Sequence, residues 1–400
     1  MGCAINDNAA VNIVFFTHPS FTAHQSMPRF AHMLAKGMVA RGHSVEIRTP
    51  QSRASRLPAP AGLRKWLGYV DQFLLFPAAV RDALPHDAPD TLYVFTDHAL
   101  GPWVPLVAHR PHAIHCHDFL AQRSALGDVP ENPTNWTGRY YQGYIRRGYS
   151  RGLNFISVSQ TTRNDLAKFL PAPSLRSEMV YNGLNQHFQP RDVSMVRTQL
   201  AHELGLDLAN GYLLHVGGNQ WYKNRQGVLE LYNAWRAGAA VAPLPLLLIG
   251  EAPSKMLATH WNASPFKADI HWLSGVEDAL VRSAYAGATA FIFPSLAEGF
   301  GWPIAEAMAS GTPVVTTDEA PMTEVGGTAA FYIPRRPLSD DASAWAAMGA
   351  QVIRQVVELD PDQRTAAAAA GLANAQRFEA SVALDRIEKI YYDILSDSKA

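Results

Sequence analysis

Glu298 and Glu306 stand eight positions apart around a turn that holds Gly299 and Gly301. An ionised carboxylate can accept hydrogen bonds from both hydroxyls of a vicinal diol, such as a ribose or a hexose. Residues 290–293 read as a short buried strand, residues 294–302 as a loop, and Pro303 as a first helical residue with its φ already set. Glu298 therefore falls in the loop and Glu306 one turn into the helix. Gly299, Phe300 and Gly301 bring backbone amides and a positive helix end to the place where a diphosphate would lie. A diol beside a diphosphate is a sugar nucleotide.

A second set of polar residues follows another apolar run. Leu213-Leu-His-Val leads into Gly217-Gly218 and then into Lys223 and Arg225. A lysine supplies a point charge and an arginine a planar fork, and either can neutralise the charge that builds on a leaving diphosphate. Two solvated loop cations would leave the same trace. In the first half of the chain, His115, His117, Asp118 and Arg123 follow an apolar strand, and ligands of open α/β sheets bind at that end of a strand. His115 and His117 share one strand face, which is compatible with a metal pair, but no third ligand follows at a recognisable spacing. A packed histidine without a chemical role stays open for His117.

With these residues in place, the chain resembles the family 4 glycosyltransferases, retaining enzymes with two facing Rossmann-like domains. Their Glu-x₇-Glu motif is Glu298 to Glu306 here, with the Phe293-Pro-Ser lead-in, the Glu306-Ala-Met helix, the Gly311-Thr-Pro turn and Glu324-Val-Gly-Gly around it. The resemblance implies that Glu298 contacts the transferred sugar and Glu306 the ribose. It places Gly217, Gly218 and Lys223 at the diphosphate, the backbone at Val276 against the nucleobase, and His117 at the anomeric centre. It extends from about Asn12 to the C-terminal helix.

Three departures from the family pattern stand out. Tyr222 occupies the place of the first basic residue, so Arg225 substitutes for it only if its side chain turns inward. The adjacent glycines that normally follow the first strand are replaced by Thr17 to Gln25, where Ser20 and His24 become acceptor candidates beside Asp118 and Arg123. The usual Phe-x-Trp opening of the last helix is Phe378-Glu-Ala380.

The 400 residues suit two or three domains, and 48% hydrophobic residues supply ample cores. A formal net charge of −1 gives no global attraction to nucleic acid. The two cysteines, Cys3 and Cys116, are too few for a disulfide framework, which points to a reducing cytoplasm. No stretch approaches the roughly 18 consecutive apolar residues of a membrane span, and the first ten residues lack the basic and apolar regions of a signal peptide.

Short apolar runs alternating with amphipathic segments predict βαβ units and two parallel sheets. The expected fold is α/β: two Rossmann-like, doubly wound parallel-sheet domains facing across a cleft, the GT-B fold. Residues 1–190 are read as the acceptor domain, 191–376 as the nucleotide-sugar domain, and 377–400 as a helix returning to the first. Residues 53–81 mix five basic residues with aromatic and aliphatic ones, which suits either peripheral contact with anionic lipid on the inner face of the cytoplasmic membrane or an ordinary packed helix.

The resulting expectation is a retaining glycosyltransferase that needs no cofactor and no metal. It moves a sugar from a nucleotide-sugar donor to a glycan or lipid-linked glycan acceptor in polysaccharide or lipopolysaccharide assembly. Analogy with similar bacterial enzymes puts GDP-mannose first among donors. A catalytically silent binding subunit, or a sugar-nucleotide epimerase or phosphorylase on the same scaffold, remains the alternative.

Overall fold

A computed structural model of the chain describes residues 10–19, 21, 26–238, 244–339 and 341–398. The chain forms two compact units, Met1–Asn185 joined by Ala380–Ala400, and Gln186–Glu379. The doubly wound α/β reading holds in both, each unit having one six-stranded parallel sheet.

In the first unit the strands are β1 (Asn12–Phe16), β2 (Ser44–Arg48), β3 (Leu92–Phe95), β4 (His112–Cys116), β5 (Asn154–Ser157) and β6 (Arg176–Met179). Their order is β2-β1-β3-β4-β5-β6. Parallel pairing requires helical crossovers, which cover both sheet faces, so the inner strands are apolar on both sides. Leu92-Tyr-Val-Phe95 is buried at every position, whereas the edge strand β2 is mostly open. Phe16 and Phe95 stack at 4.8 Å between ring centres, at the heart of a core that includes Trp103, Ile114, Tyr149 and Phe155. The last helix, Ala380–Asp397, belongs to this unit. Its Tyr391 hydroxyl lies 2.9 Å from His115 Nε2, and its Glu388 lies 2.8 Å from His43 Nε2.

The second unit contains β7 (Leu213–Val216), β8 (Leu246–Ile249), β9 (Ile270–Leu273), β10 (Ala290–Phe293), β11 (Val314–Thr317) and β12 (Phe331–Ile333). Their order is β12-β11-β10-β7-β8-β9. Winding starts at β7, runs outward through β8 and β9, then returns to β10 on the other side. Crossovers on either side of β7 lie on opposite faces, which makes the carboxyl ends of β7 and β10 the sheet's switch point, the place where ligands of open α/β sheets bind. The same reversal occurs between β1 and β3 in the first unit. The Gly217 to Arg225 and Glu298 to Glu306 sets lie at the second unit's switch point, whereas the His115 to Arg123 set follows β4, one strand beyond the first unit's.

Among the buried imidazoles, His115, His117 and His215 contribute most to the acid sensitivity of the fold. Burial lowers the pKa of His115 to about 3 and of His215 to about 3. Burial also lowers that of His117 to about 4, partly offset by Asp97 and the Thr96 carbonyl. Each ring is neutral when folded, while the unfolded chain protonates below about 6.5. Stability is therefore untouched above that pH and lost as pH falls from about 6.5 toward about 3. The loss reaches about 1.4 kcal/mol per pH unit for each ring, with two rings in the first unit and one in the second. Denaturant midpoints measured from about pH 8 down to about pH 5 are expected to fall below about pH 6.5; a flat profile would show that the rings are not held neutral.

Candidate functional site

In the second unit, β7 runs into Gly217-Gly218 and then a short turn, Trp221–Lys223, before the helix Arg225–Ala237. The loop that follows β10 carries Ser295 and Glu298 to the helix Trp302–Ala309. Four polar contacts join the two loops. The Leu296 amide donates to the Tyr222 carbonyl at 2.7 Å, and Ser295 Oγ lies 2.7 Å from the same carbonyl oxygen. Asn224 Nδ2 donates to the Pro294 carbonyl at 2.8 Å. Lys223 Nζ meets Glu298 Oε1 at 2.8 Å, with side chains 15% and 8% exposed. The two loops are thus one assembly.

Asn224 sits at φ 49°, a left-handed conformation in which its side chain caps the helix Arg225–Ala237 by accepting from the Gly227 amide. This tight corner aims Lys223 back toward Glu298. The Lys223 ammonium also lies 5.0 Å from the centre of the Phe293 ring and 5.3 Å from that of Tyr222, close enough for cation–π attraction. Ser295 Oγ lies 2.6 Å from the same Glu298 oxygen, so its one proton serves either that carboxylate or the Tyr222 carbonyl.

Glu306 is held separately. The fully buried Tyr285 donates its hydroxyl to Glu306 Oε2 at 2.9 Å, and Tyr285 itself packs edge-on to Phe188 and Phe291. Burial, with Glu306 beside it, pushes the Tyr285 hydroxyl well above its ordinary pKa, so it stays a donor. Gly301 adopts φ 106° at the cap of the helix Trp302–Ala309, a conformation that favours glycine. Phe300 is buried edge-on to Phe378.

Beneath the first loop, His215 is buried with Nδ1 2.9 Å from the Ile292 carbonyl. A side chain at Gly217 would come within 3.0 Å of His215 Nε2. Gly250 presses on the same loop, because a Cβ there would lie 2.1 Å from the Gly217 carbonyl oxygen. Val276 lies just beyond β9, next to Gly275 at φ 69°, and lines a depression of about 560 Å³ with Arg191, Glu203 and Arg282.

Arg225 turns inward. It is 4% exposed, its guanidinium lies 4.5 Å from the Trp272 ring centre, and Nη1 donates to Asn219 Oδ1 at 2.8 Å and to the Glu251 carbonyl at 2.7 Å. Burial lowers its pKa to about 10. These contacts hold Asn219 and Glu251 together beside the Gly217-Gly218 loop.

In the first unit, His117 stands at the end of β4, 6% exposed, with Nε2 3.0 Å from the Thr96 carbonyl and its ring edge-on to Phe30 at 4.4 Å. Asp118 Oδ1 accepts from the Leu120 amide at 3.0 Å, and Arg123 reaches Asp165 at 4.0 Å. His18, following β1, pairs through Nε2 with Asp97 Oδ2 at 2.8 Å across the switch point, and His98 lies 3.0 Å from the other Asp97 oxygen. Ser20 and His24 lie outside the described residues. Among the described residues no cluster of three or more His, Cys, Asp or Glu could hold a metal, and no helix is long and apolar enough to cross a membrane.

The sequence reading missed Ser295, Tyr285, His215, Gly250 and Asp97. Ser295 was within its quoted motif, and the Ser-x-x-Glu spacing was the available clue. Tyr285 and Gly250 left none, because their partners come from other crossovers.

Comparison with known proteins follows the same division of the chain. A family model described as glycosyltransferase family 4 matches residues 27–188, and one described as glycosyl transferases group 1 matches residues 210–354. O-antigen chain mannosyltransferase B of Escherichia coli is 27% identical over 247 residues, a match that spans 60% of each chain. Phosphatidyl-myo-inositol mannosyltransferase of Mycobacterium leprae (strain TN) is 26% identical over 375 residues, covering 90% of each. The solved structure of Anabaena Alr3699/HepE in complex with UDP and glucose superposes with a TM-score of 0.69 at 18% identity, covering 96% of this chain and 100% of that one.

Proposed function

Since the chain belongs to the group 1 glycosyl transferases of glycosyltransferase family 4, we propose that it transfers a hexose, mannose first, from a nucleoside-diphosphate sugar to a glycan or lipid-linked glycan, with retention at the anomeric carbon. The observation that carries this reading is the joined pair of loops at the second unit's switch point, where Lys223 and Glu298 share one contact and Glu306 is held apart from them by Tyr285. A diphosphate arriving at the Gly299 to Gly301 turn competes for Lys223, and Glu298 is then left to accept from the sugar hydroxyls. Glu306 accepts from the ribose.

The acceptor side is assigned to the first unit, with Asp118 and Arg123, and with Ser20 and His24 from the segment outside the described residues. His117 is the residue assigned to the reacting carbon. The acceptor hydroxyl attacks from the face the diphosphate is leaving, and a phosphate oxygen takes its proton. That path requires no protein nucleophile and preserves the configuration. Lys223 and the helix amides neutralise the leaving group. The names of the mannosyltransferase relatives support the mannosyl choice, and GDP-mannose is proposed as donor by analogy alone. The O-antigen name also supports a place in envelope polysaccharide or lipopolysaccharide synthesis, and a position at the cytoplasmic side of the membrane is proposed with it.

Calorimetric titration with UDP, GDP, dTDP and ADP tests the donor half. One diphosphate is expected to bind best, and Glu306→Ala to weaken it about tenfold, or about 1.4 kcal/mol. Tyr285→Phe, which keeps the ring and removes the hydroxyl, is expected to weaken it by about threefold to tenfold, the worth of one hydrogen bond to a charged group shared with solvent. Neither change should matter to the 2′,3′-dideoxy form of the same nucleotide. Equal losses for both forms would remove Glu306 from the ribose, and binding without transfer or donor hydrolysis would make the chain a silent binding subunit.

A further inference from the structure

The helix Trp136–Tyr149 presents to solvent a face of a kind that packed helices bury. Trp136, Tyr140, Tyr144, Arg147 and, just beyond the helix, Arg151 are spaced by four, four, three and four residues, so they form one stripe. All five are exposed, Trp136 at 80% and Tyr140 at 78%. The opposite face, with Ile145 and Tyr149, is buried in the first unit's core. Rotation of the helix is blocked at Gly148, where a Cβ would come within 2.2 Å of the Gly101 carbonyl oxygen. The aromatic stripe is therefore locked outward.

Residues 136–151 contain four arginines, at 139, 146, 147 and 151, and no Asp or Glu. In a chain of net charge −1 this is a local positive surplus. The stripe continues onto the helix Ala61–Val70, because Tyr69 stacks on Tyr141 with ring centres 6.0 Å apart and Phe73 meets Tyr144 at 5.7 Å. On that side Trp66 is 65% and Leu74 66% exposed. Beside Tyr144, Arg147 and Arg151 line a depression of about 510 Å³ with Pro102, Pro105 and Ala108. Aromatic side chains with an apolar body and a polar tip, next to long cationic side chains, match the boundary between lipid headgroups and acyl chains. Each arginine near an anionic surface adds attraction.

We infer that the outward face of the helix Trp136–Tyr149 docks this protein on an anionic phospholipid surface, with Trp136 and Tyr140 entering the headgroup boundary and Arg147 and Arg151 meeting lipid phosphates. The inference rests on the glycosyltransferase reading only for its purpose, bringing a lipid-linked acceptor within reach. It adds to the basic segment evident in the sequence a helix whose exposure the sequence does not reveal.

Flotation of the full chain with vesicles of phosphatidylcholine, alone or mixed with phosphatidylglycerol, tests it. The protein is expected to float with the mixed vesicles and not with phosphatidylcholine alone. Arg147→Glu with Arg151→Glu is expected to reduce the floating fraction at least about tenfold, and Trp136→Ala with Tyr140→Ala by a comparable factor. Both pairs are surface changes in the first unit, so an unchanged circular-dichroism spectrum and denaturant midpoint certify the fold. Equal flotation with both vesicle types, no flotation, or flotation that neither pair alters would overturn the inference. So would a wild-type dimer in sedimentation that Trp136→Ala dissolves, or aromatic-dependent binding of soluble oligosaccharide without vesicle binding. Flotation as expected in a protein that binds no nucleotide would leave this surface standing and sink the donor reading instead.

Discussion

Glu298→Gln is expected to lower kcat/KM for transfer by about 10²- to 10³-fold while changing the affinity for the free nucleoside diphosphate by less than about threefold. The side chain keeps its shape but loses the charge that makes hydrogen bonds from sugar hydroxyls worth about 1.5–3 kcal/mol each, and two such bonds account for the range. The diphosphate is spared because its proposed partners, Lys223 and the amides of the 299–301 turn, remain. A second effect goes in the opposite direction. Lys223, at 15% side-chain exposure, loses the carboxylate 2.8 Å away, so the free protein should be destabilised by about 1–3 kcal/mol and that loss should shrink when the diphosphate supplies a replacement anion. Transfer assays, calorimetry and denaturant melts with and without nucleotide separate these effects. If transfer survives, or diphosphate affinity falls in step with it, Glu298 is not the sugar ligand.

Gly250→Ala is expected to destabilise the protein by at least about 3 kcal/mol and to abolish nucleotide binding in what remains folded. Gly250 ends β8 at φ 140°, and its Cβ would overlap the Gly217 carbonyl oxygen at 2.1 Å, backbone against backbone. Neither side can rotate away. The Gly217 amide donates to Ile249 at 2.9 Å and the Gly250 amide to Leu273 at 3.0 Å, which ties both residues to the sheet. Relief would require displacement of the loop proposed to meet the diphosphate, adding overpacking to an unfavourable dihedral. Gly275→Ala is the control, since Gly275 has φ 69° but nothing within 4 Å of a Cβ; it should cost about 1 kcal/mol. Equal midpoints for the two variants would show that the close approach has no energetic weight.

Much of the site was legible because its chemistry is local in the chain. The Glu298 to Glu306 spacing, the intervening glycines and Pro303 specify a loop and a helix start from neighbouring residues alone, and the helix begins at Trp302, one residue before the expected position. The apolar runs behind β7, β8 and β10 were visible because strands covered on both faces have no polar alternation to hide them.

Partners that meet through the sheet order were not visible. Tyr285 reaches Glu306 from another crossover, and Lys223 reaches Glu298 across 75 positions because β7 and β10 are neighbours. Arg225 reads as a phosphate candidate in the chain, and only the pairing of β8 with β9 sets the Trp272 ring 4.5 Å from its guanidinium. The segment 53–81 reads as one amphipathic stretch, yet it folds as Ala61–Val70 and Phe76–Ala83 with a π turn, Asp71–Leu75, between them. Asp71 turns inward there to accept from the amides of Ala54 and Ser55.

The sequence by itself determined the family, the α/β class and which short segments carry carboxylates, cations and glycines, because those depend on residue type and spacing within a few turns of chain. Only the tertiary structure decided which carboxylate meets which cation, which arginine is buried and which aromatic helix faces outward. Those outcomes depend on which crossovers become neighbours, and that neighbourhood is set by the burial of whole sheet faces, a non-local energy that no single segment encodes.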